Sequence, residues 1–183
     1  MNIFAIEETS DGAIDWIKSA QSQDNYRVVK MILESCQMLS SALNILSDSN
    51  IAPYKTTHAN HPSSKWVRES SANFECLIEH TMALLDEYTS RFQKVHKCKA
   101  VLDKIIEIYS CNQDLFPSSE ETSLPLCMPE EFKGPSTVES YRSFYSSKPR
   151  IRYPKDKIPP WFKKYRGDIP FQVIQPRVKL CQK

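Results

Sequence analysis

The sequence predicts a mainly α-helical protein: a compact helical single domain over residues 1–147 with long Pro-rich loops, a short strand pair, and an irregular basic, aromatic tail over 148–183 packed on it. Three observations carry this. Glycine is scarce, three in 183 residues, so turns fall to Asn, Asp, Ser and twelve prolines. Long Gly-poor stretches place apolar residues at three- and four-residue steps, the periodicity of a helix. Beyond Lys148, prolines at 149, 154, 159, 160, 170 and 176 forbid extended helix.

The chain opens with the apolar run NIFAI, residues 2–6, a strand or an extended segment entering the core. In TSDGAIDWIKSA, Ser10 is the expected N-cap of a short helix with Ile14, Trp16 and Ile17 as its apolar positions. A second helix is expected from near Asp24 to about Ser47. The polar loop DSNIAPYKTTHANHPSSKW is long enough to point to a functional role. Within it, Ser63 or Ser64 is expected to cap a short helix through Trp66. From Glu69 to Phe92, the positions of Phe74, Leu77, Ile78, Leu85, Tyr88 and Phe92 describe a buried helical seam. Val101, Leu102, Ile105, Ile106 and Ile108 fit a helix from Lys97 to Tyr109. An irregular connection follows, and then Ser136 or Thr137 caps a helix to about Ser147. FQVIQP, residues 171–176, reads as a brief strand pairing with NIFAI.

No apolar run approaches the roughly 18 residues needed to cross a bilayer. The opening MNIFAIEETSDG lacks a basic leader and turns acidic at once, so no secretory signal is expected and the protein is placed in the cytoplasm. In that compartment the six cysteines are expected to be free thiols. No Gly-rich phosphate loop, nucleophile elbow or kinase signature is present, which argues against an ordinary nucleoside-triphosphate enzyme. The net charge of +2 conceals an asymmetry. From Lys148 onward there are 11 Lys or Arg against two acids, a tail of +9 on a body of −7. Tyr153, Trp161, Phe162, Tyr165 and Phe171 lie among those charges. Such a tail suits phosphate neutralisation with base stacking, and equally a Pro-pinned wrap of aromatics against the core.

Two polar stripes interrupt the apolar seams. Arg27, Lys30, Glu34, Gln37, Ser41 and Asn44 fall within an arc of about 100° on the second helix, with apolar residues around the rest. That pattern describes either a core helix showing one strip to water, or one wall of a site. Asn73, His80, Glu87 and Arg91 repeat along the later helix and border its seam. Turned toward one gap, the two stripes would line a polar cleft. His58 and His61 are separated by two residues without a third ligand at a convincing spacing, so no metal and no cofactor are expected.

The blocks MNIF, RVVKMILESCQMLSSAL, YKTTHANHPSSKWVRESSANFECL, DEYTSRFQKVHK and MPEEF with YRSFY resemble a family of small phage-encoded helical proteins over residues 1–147. That family is distantly similar to the phage pyrimidine-dimer DNA glycosylases. In those enzymes an N-terminal amine attacks the sugar C1′, a helix glutamate stabilises the sugar cation and moves protons, and arginines hold phosphates around a flipped nucleotide. The resemblance implies Glu34 as that glutamate, with Arg27 and Lys30 beside it. Position 2 departs from the pattern: Asn2 is bulky and leaves Met1 in place, where the family presents a small residue. Lys30 could then supply the amine, provided it attacks uncharged; otherwise water is the nucleophile, with Glu34 assisting.

The expected catalytic residues are therefore Glu34 and Lys30. Arg27 and Gln37 from the helix and His58, Asn60, His61, Trp66 and Arg68 from the loop and its short helix are expected substrate contacts. Asn73, Glu87, Arg91, His96 and Lys97 complete that set. The expected substrate is DNA carrying a damaged or modified pyrimidine. The rival reading is a non-catalytic phage protein that sequesters a nucleotide-derived small molecule in the interhelical cleft. An adaptor that uses only its basic tail on nucleic acid is the third.

Overall fold

A computed structural model describes residues 1–174. Its helices are α1 (Trp16–Gln21), α2 (Asn25–Leu46), α3 (Pro62–Glu69), α4 (Ser71–Phe92), α5 (Cys98–Ser110), α6 (Thr137–Ser146) and α7 (Phe162–Arg166). The strands β1 (Arg152–Pro154) and β2 (Gln172–Ile174) form a parallel pair in which Arg152 faces Gln172 and Pro154 faces Ile174. Among the described residues the protein is thus mainly helical with one short two-stranded sheet. β2 does not pair with residues 2–6 as expected. That apolar run is extended and sealed in the core, where the Ser19 hydroxyl accepts from the Ile6 and Glu7 amides at 3.0 and 2.9 Å. Residues 175 and 176 of the expected strand lie outside the described residues.

Capping accounts for where the helices begin. Asp15, not Ser10, caps α1, its carboxylate accepting from the Lys18 amide at 2.7 Å. Asp24 caps α2, Ser70 caps α4 and Ser136 caps α6. At α3 the cap is His61, whose Nδ1 accepts from the Ser63 amide at 3.2 Å, with Pro62 in the first turn. Ser63 and Ser64 are instead buried inside that helix. The five cysteines among the described residues are free, and Cys181 lies outside them. No described helix is long and apolar enough to cross a membrane.

α2 and α4 form the spine, and α1, α3 and α5 pack around them. The apolar circumference of α2 is not covered all round: Val29 and Leu33 each remain 41% exposed. Its polar stripe has two parts. At the C-terminal end, Asn44 donates to the Tyr54 carbonyl at 2.9 Å and accepts from the Ala52 amide at 2.8 Å, while Ser41 accepts from the Thr57 amide at 3.0 Å. That half pins the 52–57 loop. Arg27, Lys30 and Glu34 are left to face elsewhere.

The stripe on α4 is an internal brace. Asn73 donates to the Trp66 carbonyl and the Thr122 hydroxyl, both at 2.8 Å. Arg91 pairs with Glu87 at 2.7 Å and donates to the carbonyls of Gln23 and Gln21 at 2.8 and 2.9 Å. His80 Nδ1 meets the Trp16 carbonyl at 2.8 Å and its Nε2 meets Gln23 Nε2 at 3.1 Å. One ring nitrogen must therefore donate and the other accept, which is the neutral tautomer. Burial lowers the His80 pKa to about 4 from 6.5. A histidine whose folded pKa lies below its unfolded value binds protons more readily when unfolded. Its contribution is complete above pH 6.5 and drains away as pH falls toward 4, to a limit of about 3 kcal/mol. Urea titrations across that window are expected to show a decline in stability that His80→Gln flattens.

The segment after α6 doubles back over the body. Ile151, Tyr153 and Phe162 are buried, and Tyr153 donates to the Ser22 carbonyl at 2.8 Å. Trp161 donates to the Glu7 carboxylate at 2.8 Å. The buried Arg166 guanidinium is surrounded by the carbonyls of Ser146, Lys148, Ile169 and Pro170. These contacts realise the aromatic wrap.

Candidate functional site

Residues 27, 30, 31 and 34 share one face of α2 at steps of three and four. The N-terminal segment and the 148–150 link close over that face, leaving a cleft of about 470 Å³. Met1, Asn2 and Phe4 line one part, Arg27, Lys30, Met31 and Glu34 line the helix side, and Lys148, Pro149 and Arg150 come from the link.

Each charged group has a definite support. The Glu34 side chain is 16% exposed, and Lys30 reaches it at 3.1 Å while itself 54% exposed. Arg27 is buried against Asp24 at 2.8 Å and donates to the Pro149 carbonyl at 3.2 Å. Tyr145 donates to the same Asp24 oxygen at 2.6 Å, and its ring lies 5.2 Å from the Arg27 guanidinium carbon. Burial, then the positive charges of Arg27 and Lys30, push the Lys148 amine below the usual lysine range. Burial lowers the His61 imidazole too, with the N-terminal amine and His58 acting in the same direction and Glu34 against. His61 thus feels the field of the Met1–Glu34 end of the cleft. With Asp24 committed to Arg27, the cleft offers one carboxylate among four cations. Such a site attracts phosphate and can stabilise a positive charge developing next to Glu34.

A larger cavity of about 1080 Å³ adjoins it and shares Tyr26, Lys30 and Arg150. Val29, Phe92, Ile151, Phe171 and Ile174 make its walls apolar, while Arg152 adds a cation.

Of the residues expected from the sequence, Glu34, Lys30 and Arg27 meet in the smaller cleft. Gln37 lies a turn further along α2, half-buried and outside both linings. His58 and Asn60 are exposed in the loop, with His58 Nδ1 2.7 Å from the Thr57 hydroxyl. Trp66 is sealed in the core and donates to the Thr122 carbonyl at 2.9 Å. Arg68 donates to the Ala59 carbonyl at 2.7 Å and so holds the loop beside His61. Asn73, Glu87 and Arg91 line neither cavity, because the partners described above occupy them. The two stripes therefore do not share a cleft. His96 accepts from the Cys98 amide at 3.1 Å, and Lys97 is exposed at the start of α5. Among the described residues no group of three or more His, Cys, Asp or Glu could hold a metal ion.

Sequence reasoning missed Asp24 and Tyr145 as supports of the cleft and Lys148 and Arg150 as parts of its wall. Only the surplus of basic residues beginning at Lys148 hinted at the last two. Among known proteins, the family model described as pyrimidine dimer DNA glycosylase matches residues 1–100. That span holds α1 to α4, Arg27, Lys30, Glu34 and His61, and stops short of the 148–150 link. No curated protein and no solved structure matches the chain.

Proposed function

The chain belongs to the pyrimidine dimer DNA glycosylase family, and on that premise we propose that it cleaves the N-glycosidic bond of a damaged or modified pyrimidine nucleotide in DNA, with Glu34 as the key carboxylate. The observation that carries this reading is the position of Glu34 inside a cation-rimmed cleft at the Met1 end of the chain, within the matched residues.

The bond from C1′ to the base breaks with its electron pair leaving on the base, and positive charge builds on the sugar. A carboxylate beside that carbon lowers the barrier by stabilising the charge in a site shielded from water. Lys30 and Arg150 hold the flanking phosphates, with the buried Arg27 adding its positive field behind them, and the nucleotide leaves the stack to enter the cleft. The direct test is a duplex carrying a single pyrimidine dimer, with alkali-labile strand breaks at the lesion as readout. Breaks at the dimer and none in an undamaged duplex are expected; equal, background levels in both would reject the reading.

The larger cavity favours one alternative, a non-catalytic protein holding a nucleotide-derived small molecule. Its apolar walls suit a ring, and Arg150 and Arg152 suit an attached phosphate. Recovery of an intact ligand from the purified protein by mass spectrometry, without cleavage of any damaged duplex, would favour it.

A further inference from the structure

We propose that the larger cavity takes the nucleotide next to the lesion on the same strand, unpaired and stacked, so that the preferred substrate is single-stranded or locally opened DNA. This deepens the glycosidic-cleavage reading above and rests on it.

The two cavities adjoin along a boundary made of Tyr26, Lys30 and Arg150. Neighbouring hollows with cations on their boundary match two successive nucleotides, whose joining phosphate would pass between Lys30 and Arg150. Arg152 stands beyond them in the larger cavity, on the path of the next phosphate. Its Nε donates to the Gln172 side chain at 2.8 Å, a neutral partner that orients the guanidinium without cancelling its charge. Among the described residues no carboxylate pairs with Arg150 or Arg152, and none lines the larger cavity. Such a lining selects an anionic chain.

Cations alone would suit any nucleic acid. The apolar walls decide between paired and unpaired. Tyr26 and Val29 lie one turn apart on α2 and are 47% and 41% exposed. Phe92, at the end of α4, lines the same hollow with its ring centroid 4.9 Å from that of Tyr88. On the opposite wall the Phe171 ring meets the buried Phe162 edge-on at 5.0 Å. A duplex presents phosphates and base edges and keeps its base faces inside the stack, so it would leave these walls in water. An unpaired base has a free face. A positively charged groove with aromatic side chains is the arrangement that holds single strands without reading their sequence. At about 1080 Å³ the cavity has room for a whole nucleotide. A free small molecule would fill it and leave the smaller cleft unused.

The test uses the full-length protein and a strand bearing one thymine dimer with 5-iodouracil as the next base, alone and annealed to its complement. A further duplex carries 5-iodouracil opposite the dimer. Affinity is read by fluorescence anisotropy, and contacts by long-wavelength crosslinking with peptide mapping. The single strand is expected to bind about tenfold more tightly than the duplex and to crosslink to the peptide containing Tyr26. Tyr26→Ala is expected to lose that crosslink and about tenfold in single-strand affinity at the wild-type melting temperature, whereas Tyr26→Phe keeps the ring and both properties. Arg152→Gln is expected to make the dependence of log affinity on log salt shallower by about 0.7. Equal or tighter binding of the duplex, undiminished single-strand affinity in Tyr26→Ala, or crosslinks from the opposite strand alone would overturn the proposal, while cleavage at the dimer in the same samples would leave the glycosylase reading intact. Single-strand preference and the Tyr26 crosslink without base release from either form would uphold the nucleotide site and reject the glycosylase reading.

Discussion

Glu34→Gln is expected to slow glycosidic cleavage on the order of a thousandfold while leaving affinity for the lesion duplex unchanged or slightly raised. Glutamine preserves the shape of the side chain and an oxygen for Lys30, which now sits 3.1 Å from the carboxylate. What disappears is the negative charge, the only part of the group whose interaction grows as the sugar becomes cationic. In the proposed function, ground-state binding rests on phosphate contacts with Lys30 and Arg150, and removing an anion from beside them weakens neither contact. Single-turnover rates beside filter-binding affinities separate the two effects. A variant that cleaves at the wild-type rate would remove Glu34 from the chemistry.

Asp24→Ala should produce the largest loss of stability, about 3–5 kcal/mol. Asp24 is fully buried and joins three parts of the molecule. Its carboxylate pairs with Arg27 at 2.8 Å, accepts from the Tyr145 hydroxyl at 2.6 Å, and accepts from the Tyr26 amide at 2.9 Å as the cap of α2. Alanine leaves a buried guanidinium without its counter-ion, strands a buried hydroxyl and uncaps the helix. For a chain of this length the melting temperature should fall by about 10 °C. Tyr145→Phe removes two hydrogen bonds, one donated to the Asp24 carboxylate and one accepted from the Asp24 amide, and leaves the ion pair, so its cost should be nearer about 2 kcal/mol. Equal losses in calorimetry for the two variants would show that the ion pair contributes little.

How much of this was legible follows from what local sequence encodes. α2, α4, α5 and α6 lie close to where apolar periodicity puts them, with Asp24 and Ser136 marking the starts of α2 and α6, because both signals act within a few residues. The partner of β2 was misplaced because strand pairing is a long-range choice, made here by the turn of chain after α6. Arg27, Lys30 and Glu34 share a helix face in any fold that keeps α2 helical, so their meeting was readable. The stripe on α4 was equally regular, yet a spacing rule cannot say what covers a face. There, Trp16, Gln21, Gln23 and Thr122 supply the partners that solvent or substrate would otherwise provide. Lys148 and Arg150 reach the cleft only through the return of the chain across α2, and nothing near them in sequence records that return.

The four carbonyls gathered around Arg166 bear on how shortened versions of this protein behave. Ending the chain before that side chain unfastens the ribbon that carries Lys148 and Arg150, although both residues would still be present. A truncated protein that had lost its activity would then report a collapsed wall, and reading it as a missing nucleic-acid-binding appendage would confuse scaffold with contact.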